Sequence, residues 1–188
     1  RGWPRSADRE PRLAVVRGCY GLRDTAIRRP SRHAAAHDYR RSTVFVAPAT
    51  ALIPPNNPYN VANINVPVDD THTAFYFIAW GHPEQTPDTA TWRKFLGQQV
   101  GIDLDSSYVP LRNRANHFWQ DRAAMKAGNF TGITGFPNQD IAMWVTMGPI
   151  ADRTHEPLGA RDRAGVGFRE QMPEDRQEAL WGEGGMRG

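Results

Sequence analysis

One carboxylate stands out by its surroundings. Asp140 lies in Gly135-Phe136-Pro137-Asn138-Gln139-Asp140, a glycine- and proline-punctuated approach to the apolar run Ile141-Ala142-Met143-Trp144-Val145. That arrangement suits aiming a single acidic side chain at a dry pocket. Three readings stand from the residues alone. Asp140 is a helix N-cap, a role Asp fills often. It is a solvated surface residue. Or it is the carboxylate of a two-His, one-carboxylate iron site, whose open positions take dioxygen.

The third reading needs two histidines, and the sequence offers none that convince. His33 and His37 flank three alanines, a spacing that puts both rings on one face of a helix. Pro30 precedes them, a strand pattern follows, and no Glu lies between them as a metalloprotease requires, so they are expected in a surface loop. His72 falls in a turn, His82 beside Pro83 and His155 in a polar loop, all expected to be structural or solvated. His117 is expected to be a half-buried surface residue. Cys19 is the only cysteine, so this chain alone builds no disulfide, zinc–thiolate site or iron–sulfur cluster, and a reducing, cytoplasmic setting is expected. No nucleophile elbow, Walker loop or dinucleotide fingerprint is present.

The elements that must position Asp140 follow from periodicity. The segments 11–16 and 20–28 predict a hairpin joined near Gly18. Tyr39 to Ala47 is a strand with Arg41, Thr43 and Phe45 on one face. Pro54 to Pro58, including Asn56 and Asn57, is a turn by composition. Tyr59 to Val66 and Thr73 to Trp80 are further strands, so four or five strands form an antiparallel meander. The period then changes. Thr89 to Val100 predicts a helix capped by Thr89 or Thr91, Arg114 to Lys126 a short helix or irregular segment, and Asn138 to about Met147 the helix carrying Asp140. Arg161 to Met172 is a last helix, stopped by Pro173. Strands first and helices later give an α+β fold.

Composition sets the outer limits. The 188 residues suffice for one domain with a real core, and 15 Pro with 17 Gly call for many turns. The positive charge is carried almost wholly by Arg, and those arginines are spread along the chain, several beside Asp or Glu as in Arg161-Asp162-Arg163, which leaves no basic stripe for nucleic acid within a net charge of +3. No apolar run is long enough for a membrane span. The start lacks a Met and an apolar signal region, so a fragment of a longer chain is expected. Residues 1–10 are expected to be a poorly ordered lead-in, 11–172 the folded part and 173–188 a disordered tail.

Several ordered motifs resemble one family. They include Tyr20-Gly21-Leu22-Arg23, His37-Asp38-Tyr39-Arg40-Arg41, Ile53-Pro54-Pro55-Asn56-Asn57, Val66-Pro67-Val68-Asp69-Asp70-Thr71-His72 and Trp119-Gln120-Asp121-Arg122. With Phe136 to Thr154, the strongest stretch, they are similar to the catalytic domain of the large (oxygenase) subunit of Rieske non-haem iron aromatic-ring-hydroxylating oxygenases. The resemblance implies a helix-grip antiparallel sheet with helices enclosing a cavity, here incomplete at the N-terminus. It implies cis-dihydroxylation of a phthalate-like aromatic carboxylic acid by dioxygen, with electrons from NADH through a flavin and iron–sulfur reductase. It places the mononuclear Fe(II) carboxylate on Asp140, with Gln139 beside it and Ile141, Met143 and Trp144 limiting water. The two His ligands and the [2Fe–2S] Rieske cluster would lie outside this chain, leaving it inactive alone. Arg41 is the candidate for the substrate carboxylate, since Arg pairs bidentately with such groups; an edge-strand surface charge is its plainer reading. The resemblance also implies a trimer-based homo-oligomer. Asp24-Thr25 departs from the family pattern, which carries aromatic or small residues there. A Rieske-type monooxygenase or demethylase, and a non-catalytic domain that binds aromatic acids, are the alternatives.

Overall fold

The computed structural model describes residues 10–29, 38–54, 57–159 and 162–180. His33, His37 and Asn56 lie outside the described residues. The chain forms two compact units: one holds the sheet and the last helix, the other spans Thr86–His155 together with Asp70–His72.

The first unit is a six-stranded antiparallel sheet in simple chain order: β1 (Arg12–Gly18), β2 (Gly21–Arg28), β3 (Tyr39–Val46), β4 (Thr50–Ile53), β5 (Asn60–Pro67) and β6 (Thr73–Trp80). The expected meander is present with one strand more. β4 has only four residues and follows a three-residue turn containing Pro48, too short for alternation to reveal it. Register puts Asp24 opposite Thr43, Leu22 opposite Phe45 and Ala26 opposite Arg41, so Leu22, Asp24, Ala26 and Arg28 share a face with Arg41, Thr43 and Phe45.

A long helix, Arg163–Leu180, packs on that face of β1 and β2. Phe168 meets Phe45 edge to face with ring centroids 4.7 Å apart. Gly167 brings the helix backbone close to Val15 and Leu22. This helix corrects an expectation, because it runs through Pro173 instead of stopping there. Proline removes the bond its N–H would give to the carbonyl of Arg169. Ion pairs from Arg17 to Glu170 and Glu174 lie on either side of the proline and hold both flanking turns to β1. The segment expected to be disordered thus includes helix up to Leu180, and 181–188 lie outside the described residues.

The second unit contains α1 (Thr89–Leu96), a 3-10 turn over Arg114–Trp119, α2 (Arg122–Lys126) and α3 (Phe136–Thr146); the sheet-packed helix is α4. α1 is capped by Asp88, whose Oδ1 accepts from Thr91 N–H at 2.7 Å, and not by either threonine. It ends at Gly97 in the left-handed region, short of Val100. Leu96, Leu104, Phe118, Ile133 and Ala142 are its buried apolar residues. His117, Phe118 and Trp119 all have positive φ (52°, 55° and 54°), a left-handed turn that drives the Phe118 ring inward against Ile133 and Ala142. Among the described residues no helix is long and apolar enough to cross a membrane.

Candidate functional site

α3 begins two residues before the expected start. Gly135 is its N-cap and Pro137 sits in the first turn, where a missing N–H costs nothing. Asp140 therefore occupies the second turn and is not a cap. The N-cap reading is set aside on that ground.

What fixes the start of α3 is Asn138. Its side chain is only 4% exposed. Nδ2 donates to the carbonyls of Gly97 (3.0 Å) and Thr134 (2.9 Å), and Oδ1 accepts from Gln98 Nε2. One amide thus ties the last turn of α1 to the first turn of α3. The approach is close enough that a Cβ on Gly97 would come within 2.8 Å of Asn138 Nδ2, and one on Gly135 within 2.5 Å of the Leu96 carbonyl oxygen. Both glycines also have positive φ, 66° and 81°. Gln139 donates to the Ile133 carbonyl at 3.1 Å, tying the same turn to the preceding loop.

From this anchored base the outer face of α3 projects Phe136, Asp140, Met143, Trp144 and Met147, a stripe of helical spacing. Phe136, Met143, Trp144 and Met147 are 41–60% exposed, and Asp140 is exposed among them. Asp140 makes no hydrogen bond or ion pair to the described residues. Within this chain Met143 and Trp144 are exposed beside the carboxylate, and Ile141 is half-buried. The inner face is the packed one, with Pro137, Asn138 and Ala142 buried.

Behind α3 a second polar anchor escaped the sequence reading. Asp103, 6% exposed, pairs with Arg112 at 2.7 Å, and the Arg112 guanidinium lies 4.6 Å from the Trp119 ring centre. Asp103 Oδ2 also accepts from Gln99 N–H. The pair spans nine residues of irregular chain, so no periodicity could signal it.

Arg41 belongs to the other unit. It is half-buried on β3, and Nη2 donates to the Pro54 carbonyl at 3.1 Å, so one arm of the guanidinium is already engaged. His72, His82, His117 and His155 are all exposed, and Cys19 is free and exposed. Among the described residues no three His, Cys, Asp or Glu side chains cluster as a metal would need. The described residues therefore do not complete an iron site of the two-His, one-carboxylate kind.

Comparison with known proteins gives this arrangement a context. The chain is 72% identical over 173 residues, 92% of its length, to the phthalate 4,5-dioxygenase oxygenase subunit of Pseudomonas putida. It is 34% identical over 140 residues, 67% of its length, to the 3-chlorobenzoate-3,4-dioxygenase oxygenase subunit of Comamonas testosteroni. It spans 39% and 32% of those two relatives. The resemblance read from the motifs is borne out by both. A model of the LigXa C-terminal domain-like family matches residues 1–186, and the chain belongs to that family.

Proposed function

We propose that this chain is the C-terminal part of the oxygenase component of a dioxygenase that cis-dihydroxylates a phthalate-like aromatic carboxylic acid. The observation that carries the reading is the 72% identity to the phthalate 4,5-dioxygenase subunit across 92% of the chain. The second relative, named for chlorobenzoate, keeps the substrate class at aromatic acids.

In this reading Asp140 is one iron ligand, and its two His partners and the [2Fe–2S] cluster come from elsewhere in the full-length subunit. Electrons arrive from NADH through a flavin and iron–sulfur reductase, in the cytoplasm, to a trimer-based oligomer. The described residues alone do not complete that iron site. What the chain contributes is placement: Asn138 and the two close glycines set the angle of α3, and α3 presents Asp140 on an exposed, mainly apolar stripe. Such a stripe supports a carboxylate that another part of the subunit covers. Arg41, with one arm on Pro54, retains donors for a substrate carboxylate.

The test uses the full-length subunit with its reductase. Asp140→Asn is expected to lose mononuclear iron while keeping the visible absorption of the cluster, and to lower phthalate turnover at least about a hundredfold. Retention of iron and turnover overturns the ligand role. With isotopically labelled dioxygen, two labelled oxygens in the product support the dioxygenase, and one supports the monooxygenase alternative. The isolated chain is expected to show no NADH-coupled hydroxylation, since one carboxylate cannot hold iron in the needed geometry.

A further inference from the structure

Where the backbone of the second unit turns left-handed it mostly uses glycine, as at Gly97, Gly132 and Gly135. One turn does so with three bulky residues in a row: His117, Phe118 and Trp119 have φ of 52°, 55° and 54°. That conformation is costly for residues with a Cβ and persists only where the surroundings over-determine it. Here they do. Asn113 Oδ1 accepts from the N–H groups of Ala115 and Asn116, Asn116 Oδ1 accepts from Asn113 N–H at 2.9 Å, and Phe118 N–H donates to the Asn113 carbonyl at 2.9 Å. On the far side the Arg112 guanidinium, held by buried Asp103, lies against the Trp119 ring. Strain kept in this way points to a task for the turn.

That task follows from what the turn touches. Phe118 is 9% exposed and packs with Ile133 and with Ala142 of α3, itself 1% exposed. Arg114 Nη2 donates to the Thr146 carbonyl at 3.3 Å, one helical turn further along. Asn138 fixes the start of α3 against α1, but a single joint leaves a helix free to pivot. Phe118 and Arg114 supply the second support. Asp140 lies between the two supports in sequence, two residues before Ala142, and its carboxylate meets no donor among the described residues. A carboxylate in that state fits a ligand for an ion. Metal–ligand distances hold to within about 0.2 Å, so even a small pivot of α3 matters there.

We propose that the strained turn His117–Trp119 is the positioning element for Asp140, with Phe118 as its positioning residue: the seat of the ring on Ala142 sets the angle of α3 and so the place of the carboxylate. Glycine in the turn would relieve the strain but leave the ring less fixed. Three side-chain residues confine the turn to one geometry, with Phe118 against α3 and Trp119 against Arg112. This role rests on the reading of Asp140 as an iron ligand.

The test measures the affinity of the full-length subunit for mononuclear iron by competition with a ferrous chelator. Cluster absorption and melting temperature are read on the same samples. Phe118→Leu is expected to keep the fold and the cluster and to bind iron about tenfold more weakly. Leu104→Ala is the control: Leu104 is 8% exposed in the same unit and stands outside the Phe118–Ile133–Ala142 cluster. It should lower the melting temperature at least as much and hold iron affinity within about twofold. His117→Gly removes an exposed side chain and relaxes the turn, so the melting temperature should hold or rise while iron affinity falls about threefold. If Phe118→Leu does not fold, His117→Gly decides. Undiminished iron affinity in the folded variants overturns the proposal, as does a loss in Leu104→Ala equal to that in Phe118→Leu. Asp140→Asn is run beside them. If it keeps its iron, the ligand reading fails and the positioning role with it; if it loses iron while Phe118→Leu and His117→Gly retain it, only the positioning role fails.

Discussion

Single side chains carry most of what is distinctive here. Asp140 stood out by its neighbours, and its exposed place in the second turn of α3 matches the solvated reading among those the residues left open. Arg112 was not legible at all. Its pair with Asp103 is buried on both sides, at 11% and 6% exposed, so removing one partner strands a charge. Arg112→Ala is expected to cost about 3 kcal/mol in urea unfolding, and Arg112→Lys to recover only part of it, since a lysine lacks the planar contact with Trp119. Asp24 makes a pH prediction. Its folded-state pKa is raised above the unfolded value of 3.8 by burial. The folded state therefore binds more protons than the unfolded one just above that value, and stability falls as pH rises through this window. Asp24→Asn should raise the melting temperature at pH 7, and the gain should vanish well below pH 3.8. Arg41→Ala, in the full-length enzyme, should raise KM for the aromatic acid about tenfold with kcat little changed, as loss of one charged hydrogen bond does. An unchanged KM removes Arg41 from the substrate site.

Elements were read better than their ends. The strands announced themselves through two-residue alternation and the turns through Pro and Gly, so five of six strands and the α+β order were visible. β4 was hidden by its length. α1 and α3 were shifted because their caps depend on particular backbone bonds: Asp88 beats Thr89, and Gly135 with Pro137 opens α3 early. Pro173 was read by its usual effect, but the helix continues through it to Leu180. The α1–α3 joint rests on the Asn138 amide. Asn138→Ala leaves two carbonyls and Gln98 unpaired and should cost about 2 kcal/mol. Asn138→Asp should be at least as damaging, because a carboxylate would face the Gly97 and Thr134 carbonyls with no proton to give. If the aspartate variant unfolds at wild-type urea concentration, the joint is held by packing and not by this amide.

For the molecule as a whole, the exposed apolar side chains of α3 and the segment after it matter most. Met143, Trp144, Met147 and Ile150 are 44–71% exposed, a patch of the kind that drives association. The isolated chain is expected to self-associate at micromolar concentration by light scattering, and Met143→Lys with Met147→Lys to reduce this without lowering the melting temperature. A monodisperse wild-type chain would contradict it. The chain-order meander carries a different consequence, one of timing. Each strand's hydrogen-bonding partner is the strand made just before it, so during synthesis the sheet can grow one hairpin at a time with little search. The exception is α4, whose landing place is β1 and β2, the first strands to emerge. Arg17 must wait 153 residues for Glu170. Until then Leu22 and Phe45 lack their cover, so the nascent sheet spends most of its assembly with that apolar face open, and the last helix is the latch that closes it.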